Sequence, residues 1–179
     1  MADMLSREVP ARKAPAPALH PSANPRDDAS KAKIIAALAA CAPALLHLGD
    51  CLQLAHWNVK GPSFEPLHKL FGEVYDVVHG AADRLIERAT IGLGGRILAT
   101  PAAIAAADLT PFPEDAIDGE SLCRALTLMG REVSAQLGEA RQQLDDLRAV
   151  DTSNLLQEIV LLVEHHVGRI SAHLPPGDL

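Results

Sequence analysis

Apolar residues recur every three or four positions from about residue 30 onward, which is the period of an amphipathic helix. The first run predicts a helix from about Ser30 to Val59, with Pro43 causing either a kink or a local cost that packing offsets. The second run predicts a helix capped by Ser63, with Pro66 in its first turn and an end near Gly92.

The second half of the chain shows the same helical period of apolar residues. It predicts a helix from about Gly119 to Leu147 and another from about Thr152 to Leu174, with Asp151 or Thr152 as the N-cap. Residues 97–117 form a proline-rich connection in which PAAIAAADL suits a short helix. Four amphipathic helices with one long connection in the middle predict an all-α four-helix bundle with a crossover, over residues 30–175.

The first 29 residues do not fit the helical pattern. Five prolines interrupt them, and they offer few apolar side chains to bury, so we predict a flexible Pro/Ala-rich tail over residues 1–29. The start lacks the apolar stretch of a secretory signal, and the apolar run from Ile34 to Leu46 is shorter than a membrane span needs. We therefore expect no membrane partner.

Composition and net charge reduce the number of possible functions. Apolar residues make up 48% of the chain but aromatic residues only 3%, so the core must be aliphatic. A net charge of −7 argues against a broadly basic nucleic-acid-binding surface, and it fits either simple solubility or the attraction of cations. Cys41, Cys51 and Cys123 have no CxxC spacing and are expected to be buried, reduced thiols.

Two pairs of side chains are candidates for metal chemistry. His56 and His68 flank the predicted turn between the first two helices, so they should be neighbours in an antiparallel hairpin. Asp83 and Glu87 lie four apart on one face of the second helix. Imidazoles and carboxylates together suit iron, zinc or manganese. A core or cap role for the histidines, and a solvated face beside Arg84 and Arg88 for the acids, stay open.

The histidine pair and the acid pair are far apart along the second helix. His68 and Asp83 are fifteen residues apart, which is roughly 22 Å along one helix, whereas ligands of one metal lie within about 2.5 Å of it. The pairs cannot share a metal within one chain. They can share one if two subunits pack their hairpins antiparallel about a two-fold axis, and symmetry then makes two identical sites.

These motifs resemble a known family. HWNVKGPSF, LHKLF, the D-x-x-x-E-R at Asp83–Arg88 and the following LGG resemble the Dps family of miniferritins, the DNA-binding proteins from starved cells. The resemblance covers about residues 30–174 and is strongest over 54–95. It implies a ferritin-like four-helix bundle, a hollow homododecamer, and oxidation of Fe(II), preferably by hydrogen peroxide, between two-fold-related subunits. It also implies ferric mineral storage, protection against oxidative stress, and His56, His68, Asp83 and Glu87 as iron ligands.

One position departs from the family pattern. The family usually has an acidic residue four after the second histidine, where this chain has Gly72, and Glu73 points about 100° away around the helix. We therefore expect one iron to bind well, a second poorly, and oxidation to be slow. His79, four before Asp83, is either an interface histidine or an extra ligand that partly replaces the lost acid.

Other residues carry open alternatives. Trp57 is either an interface anchor or an electron donor. The same choice between an ordinary role and metal binding applies to Glu164, His165 and His166, for which packing or a place on the cavity surface is favoured. Three acids near the last helix are either ordinary capping residues or the lining of an iron entry pore: Asp145, Asp146 and Asp151.

The resemblance leaves two other functions open: a DNA-compacting protein, or a structural cage with a weakened ferroxidase site. DNA binding is expected to be weak because the charge of the tail is mixed. We expect a cytoplasmic protein, associated with the nucleoid if it binds DNA.

Overall fold

The predicted all-α fold is confirmed by a computed structural model that describes residues 18–179. Within residues 18–179, five α-helices follow one another: α1 Asp28–Asn58, α2 Phe64–Glu87, α3 Pro101–Ala105, α4 Gly119–Asp146 and α5 Val150–Ser171. Helices α1 and α2 pack closely as one hairpin, and α4 and α5 pack as another. The hairpins join through contacts of α1 with α4 and of α2 with α5.

Helix α1 is the central element of the core. It begins after Asp27, whose carboxylate accepts a hydrogen bond from the Ser30 amide, and it continues through Pro43 without interruption. An 18-residue window of α1 has a mean hydropathy of 1.7, enough to cross a bilayer by composition. However, 61% of that window is buried inside the bundle, which is also what a core helix shows.

Helix α2 ends in an unusual turn. Ser63 occupies the predicted N-cap position, although its side chain makes no capping hydrogen bond. After Glu87 the backbone forms a π-helical turn over Arg88–Gly92. Gly94 has φ 77°, and a Cβ there would meet the His20 carbonyl oxygen at 2.0 Å, so only glycine fits. The sequence predicts the glycine stop but gives no signal for the π-helical turn.

The crossover between α2 and α4 runs along the bundle and carries the short helix α3. His47 on α1 donates a hydrogen bond from Nε2 to the Thr110 carbonyl at 2.8 Å. The Lys60 amide in the α1–α2 turn donates to the Ile117 carbonyl at 2.7 Å. These two bonds hold the crossover to α1 and fix the turn that carries the predicted histidine pair.

The core is aliphatic, as the composition predicts, with Phe71 the largest fully buried side chain. All three cysteines are free and buried. Burial raises the pKa of the Cys41 thiol to about 11, and burial raises those of Cys51 and Cys123 to about 12, with smaller contributions from Asp50 and Asp118 respectively. They are inert apolar fillers, in keeping with the expectation of reduced thiols.

Two boundaries differ from the sequence predictions. The predicted tail over residues 1–29 includes a segment that contacts the bundle: the His20 amide donates to the Gly94 carbonyl, and Arg26 donates to the Arg148 carbonyl. Residues 1–17 lie outside the described residues. Neither Asp151 nor Thr152 caps α5; the N-cap position is Ala149, because Asp151 is already in the first turn and pairs with Arg88.

Candidate metal centre

The two histidines of the hairpin lock each other in place. His56 Nδ1 lies 2.6 Å from the His68 carbonyl oxygen, and His68 Nδ1 lies 2.7 Å from the His56 carbonyl oxygen. Their rings stack with centroids 3.8 Å apart and planes 18° apart. The His56 carbonyl is free for this role because it belongs to the last turn of α1, where no helical amide follows. The predicted proximity of His56 and His68 is confirmed.

The lock fixes the tautomer of both rings. A backbone carbonyl can only accept a hydrogen bond, so each Nδ1 must carry the proton. In the neutral imidazole, each Nε2 then has a free lone pair, which is the form that binds a metal. The pair therefore presents two ready nitrogen ligands at one end of the hairpin.

Gly72 makes room for the His56 ring. A Cβ at this position would lie 3.0 Å from His56 Nδ1 and 3.1 Å from Cε1, closer than side chains ordinarily approach. Beside the glycine is an open pocket of about 260 Å³. Glu73 does not turn towards this pocket, since its carboxylate accepts a 2.7 Å hydrogen bond from Arg169 on α5. The position of Glu73 agrees with the prediction that it is a poor substitute.

The predicted acid pair lies at the other end of α2. Asp83 and Glu87 are exposed and make no ion pair with any residue from 18 to 179. Arg84 instead pairs with Glu158 at 2.6 Å, and Arg88 bonds the Asp151 carboxylate and the Thr152 hydroxyl. Both arginines therefore hold α2 against α5 and leave the two carboxylates unneutralised.

The chain does not bring the two pairs together. Between residues 18 and 179 no group of three or more His, Cys, Asp and Glu side chains is placed to hold a metal ion. This agrees with the separation that helix rise requires. The assignment of His56, His68, Asp83 and Glu87 to one metal centre stays a prediction.

The remaining candidates have other neighbours. The His79 ring packs on Tyr75 of the same helix, with centroids 5.6 Å apart. Trp57 is 59% exposed beside His56, as either an interface anchor or an accessible electron donor would be. Asp145 accepts a hydrogen bond from Ser153, and Asp151 pairs with Arg88, so two of the three predicted pore acids have internal partners.

The histidines of α5 form a small cluster. His165 and His166 contact edge to face, with centroids 5.0 Å apart. Burial lowers the pKa of His166, and so do Arg169 and His165, while Glu73 raises it. Arg169 Nη1 lies 3.2 Å from His166 Nδ1, a contact in which the neutral ring accepts. These contacts agree with the packing alternative for the α5 histidines.

Two features of the region are not among the residues predicted from the sequence. The pocket beside Gly72 is lined by Gln53, His56, Trp57, Tyr75 and Asp76. Asp76 lies four residues after Gly72, a helical spacing that places both residues on one face of α2. The π-helical turn after Glu87 has no recognisable sequence pattern, and such turns often occur at functional sites.

Comparison with known proteins agrees with this architecture. Residues 35–176 match the family described as a ferritin-like domain. The chain is 33% identical over 122 residues to a DNA protection during starvation protein of Brevibacillus brevis, covering 66% of this chain and 79% of the relative. It is 30% identical over 130 residues to the Halobacterium salinarum protein of the same name, covering 72% and 70%.

Solved structures share the fold. A Dps homologue from Halobacterium salinarum superposes with a TM-score of 0.81 at 24% identity, covering 94% of each chain. The Dps protein of Vibrio cholerae, described as a ferritin-like diiron-carboxylate protein, superposes with a TM-score of 0.75 at 23% identity, covering 82% of this chain and 91% of that one. The chain belongs to the ferritin-like family and, within it, to the DNA protection during starvation (Dps) proteins.

Proposed function

We propose that this protein is an iron-sequestering miniferritin. It oxidises Fe(II), with hydrogen peroxide as the preferred oxidant, at sites shared by two copies, and it stores the ferric product inside a hollow homododecamer. The observation that carries the proposal is the pair of reciprocal hydrogen bonds between His56 and His68, which uses both Nδ1 atoms and leaves the Nε2 of each ring for a metal. These hydrogen bonds hold both rings in the tautomer whose Nε2 can bind a metal, as a backbone carbonyl behind a metal-ligating histidine does.

The exposed face of the α1–α2 hairpin is self-complementary. Its turn end carries the two imidazoles, and its far end carries the exposed carboxylates of Asp83 and Glu87. A second copy that packs antiparallel about a two-fold axis would put each imidazole pair opposite a carboxylate pair. Exposed Leu54, Trp57 and Phe64 near the turn offer apolar surface for such a contact.

The chemistry follows from this mixed ligand set. Neutral imidazoles bind Fe(II), and anionic carboxylates favour Fe(III) over Fe(II), so the site assists loss of an electron. Two Fe(II) ions each give one electron to one molecule of hydrogen peroxide, whose O–O bond breaks as two protons are taken up and two waters form. Delivery of both electrons together avoids release of hydroxyl radical. Exposed acids on the inner surface would then nucleate the ferric mineral.

Gly72 sets the expected strength of the site. The glycine lies directly beside His56, so the carboxylate that the family usually has there is missing on the imidazole side. We infer that one iron binds well, a second binds weakly, and oxidation is slow. A Gly72→Asp variant adds the carboxylate but also a Cβ that presses on His56, so Gly72→Ala is the necessary control.

Anaerobic loading of the sized oligomer with Fe(II), followed by peroxide, tests the function. We expect the ferric absorbance to rise in proportion to peroxide at two Fe(II) per peroxide, and the oligomer to retain the iron on gel filtration. Absence of peroxide-driven oxidation would overturn the proposal and would favour a structural cage with a weakened site.

The relatives are named DNA protection during starvation proteins, which supports a second candidate function, direct binding of DNA. Phosphate binding needs clustered Lys and Arg, whereas this chain has a net charge of −7. Multiple tails on one oligomer could still add weak contacts. A gel shift at low salt, with residues 1–17 deleted in parallel, tests it: a shift that the deletion abolishes supports DNA binding through the tail.

A further inference from the structure

The pocket beside Gly72 has the chemistry of a cation site. Its volume of about 260 Å³ is room for an ion together with several waters, since each water takes about 30 Å³ in the liquid. His56 lines one side and Asp76 another, with Gln53 and Tyr75 completing the polar lining. These groups offer an imidazole nitrogen, a carboxylate and a neutral amide oxygen around one space.

The helix directs Asp76 towards this space. Gly72 and Asp76 are one turn apart on the same face of α2, and side chains in a helix lean towards its N-terminus. Asp76 therefore leans over Gly72, which has no side chain to obstruct it. The His56 atoms nearest the Cβ position of Gly72 are Nδ1 and Cε1, and because Nδ1 donates to the His68 carbonyl, Nε2 is the ring nitrogen left to bind a cation.

Asp76 is the available carboxylate of the two acids nearest Gly72 along α2. Glu73 is held by Arg169, whereas Asp76 makes no ion pair with any residue from 18 to 179. The chain thus lacks a carboxylate at Gly72 and has a free one a single turn further along the same helix face.

We propose that Asp76, with His56, forms a divalent-cation position in the Gly72 pocket and replaces the absent carboxylate from one turn away. The inference rests on the proposed function and deepens it by naming a ligand of the second, weaker iron. The ligand class is a hydrated divalent cation with oxygen-rich coordination. Few protein ligands are needed, because waters and the second copy supply the others.

The proposed assembly adds a physical reason for a cation here. If His68 lies opposite Asp83 and Glu87 of a second copy, the two α2 helices cross near their midpoint, about residues 76–77. Asp76 would then face the partner surface rather than open water. A carboxylate covered in this way is costly without a counter-ion, and the cation provides one.

Anaerobic calorimetric titration of the assembled oligomer with Fe(II) tests the proposal, and Co(II) absorption is a second readout that needs no oxidation. We expect two binding phases in the wild type. Asp76→Asn should weaken the second phase about tenfold and leave the first unchanged, while Asp76→Glu should keep both. Glu73→Gln is the matched control, since it removes a neighbouring carboxylate that points to α5, and it should leave both phases unchanged.

The possible results distinguish a wrong role for Asp76 from a wrong metal centre. If His56→Ala leaves Fe(II) binding unchanged, the proposed metal centre itself is wrong. If His56→Ala abolishes binding but Asp76→Asn matches the wild type in both phases, only the role of Asp76 is wrong. Gel filtration of each variant establishes that the oligomer is intact before the titration.

Discussion

The two ends of the α1–α2 hairpin are built in opposite ways. At the turn, His56 and His68 are half-buried, stacked and locked by reciprocal hydrogen bonds. At the far end, Asp83 and Glu87 are exposed, and the arginines next to them pair with α5 instead. The imidazole end is preorganised by contacts within one chain. The carboxylate end has no cationic partner of its own among residues 18–179, so it is free to bind a metal ion.

This difference shows how a binding site can be divided between copies. The histidine half fixes the positions of two metal ligands. The carboxylate half supplies negative charge that no neighbouring arginine neutralises. Pairing Asp83 or Glu87 with its neighbouring arginine would lower the attraction for a metal ion. The ion pairs to Glu158 and Asp151 avoid this and also anchor the end of α2.

The largest effect is expected from removing the carboxylate end. Asp83→Asn with Glu87→Gln should reduce peroxide-driven Fe(II) oxidation at least about 100-fold, because the site loses both carboxylates of the partner copy. Thermal unfolding should be almost unchanged, since neither side chain makes an ion pair between residues 18 and 179. Glu139→Gln, an exposed carboxylate on α4, is the control and should retain full activity. Equal activity in the double variant and this control would contradict the assignment.

A smaller effect is expected from disturbing the imidazole end. Gly72→Ala puts a Cβ 3.0 Å from His56 Nδ1, so the ring must shift and its hydrogen bond to the His68 carbonyl must weaken. We expect Fe(II) affinity to fall about tenfold while the fold is kept. The nitrogen chemical shifts of the His56 ring report the change directly. Gly80→Ala, on the same helix with open space around it, is the matched control.

The smallest effect concerns the α5 histidines, which lie outside the proposed centre. Burial, Arg169 and His165 lower the pKa of His166, so the unfolded chain binds the proton more readily than the folded one. The stability from this group is fully present above pH 6.5, the ordinary pKa, and is lost as pH falls through the lowered value. His166→Gln should therefore slightly lessen the fall of the melting temperature as the pH decreases below 6.5. His165→Gln, exposed beside it, should retain more of the slope.

The sequence predicted most of the fold because the helical periods are long and the breaks are marked by proline and glycine. The four long helices, the crossover and the proximity of His56 and His68 all followed from that pattern. The predicted N-cap of α5 was wrong. Asp151 is a suitable N-cap by residue type, and only its tertiary ion pair with Arg88 shows that it lies in the first turn instead. The docking of His20 onto Gly94 was missed for the same reason, since it depends on a contact distant in sequence.

The candidate site was less predictable than the fold. Residue types and spacing indicated the two pairs and their separation, but they gave no information on tautomers. The reciprocal Nδ1 hydrogen bonds depend on the exact approach of two backbones, and so does the space that Gly72 leaves for His56. The spacing of four between Gly72 and Asp76 places the two residues on one helix face. That spacing indicates a ligand only once the pocket beside Gly72 is known.

Co-assembly of two inactive variants tests most directly whether the centre is shared between copies. One variant carries His56→Ala and His68→Ala, the other Asp83→Asn and Glu87→Gln, and each alone should be inactive. Refolded together in equal amounts, half of the two-fold pairs are mixed and each has one intact site, so activity should return to about a quarter of the wild-type value. No recovery in oligomers shown by mass spectrometry to be mixed would contradict the account.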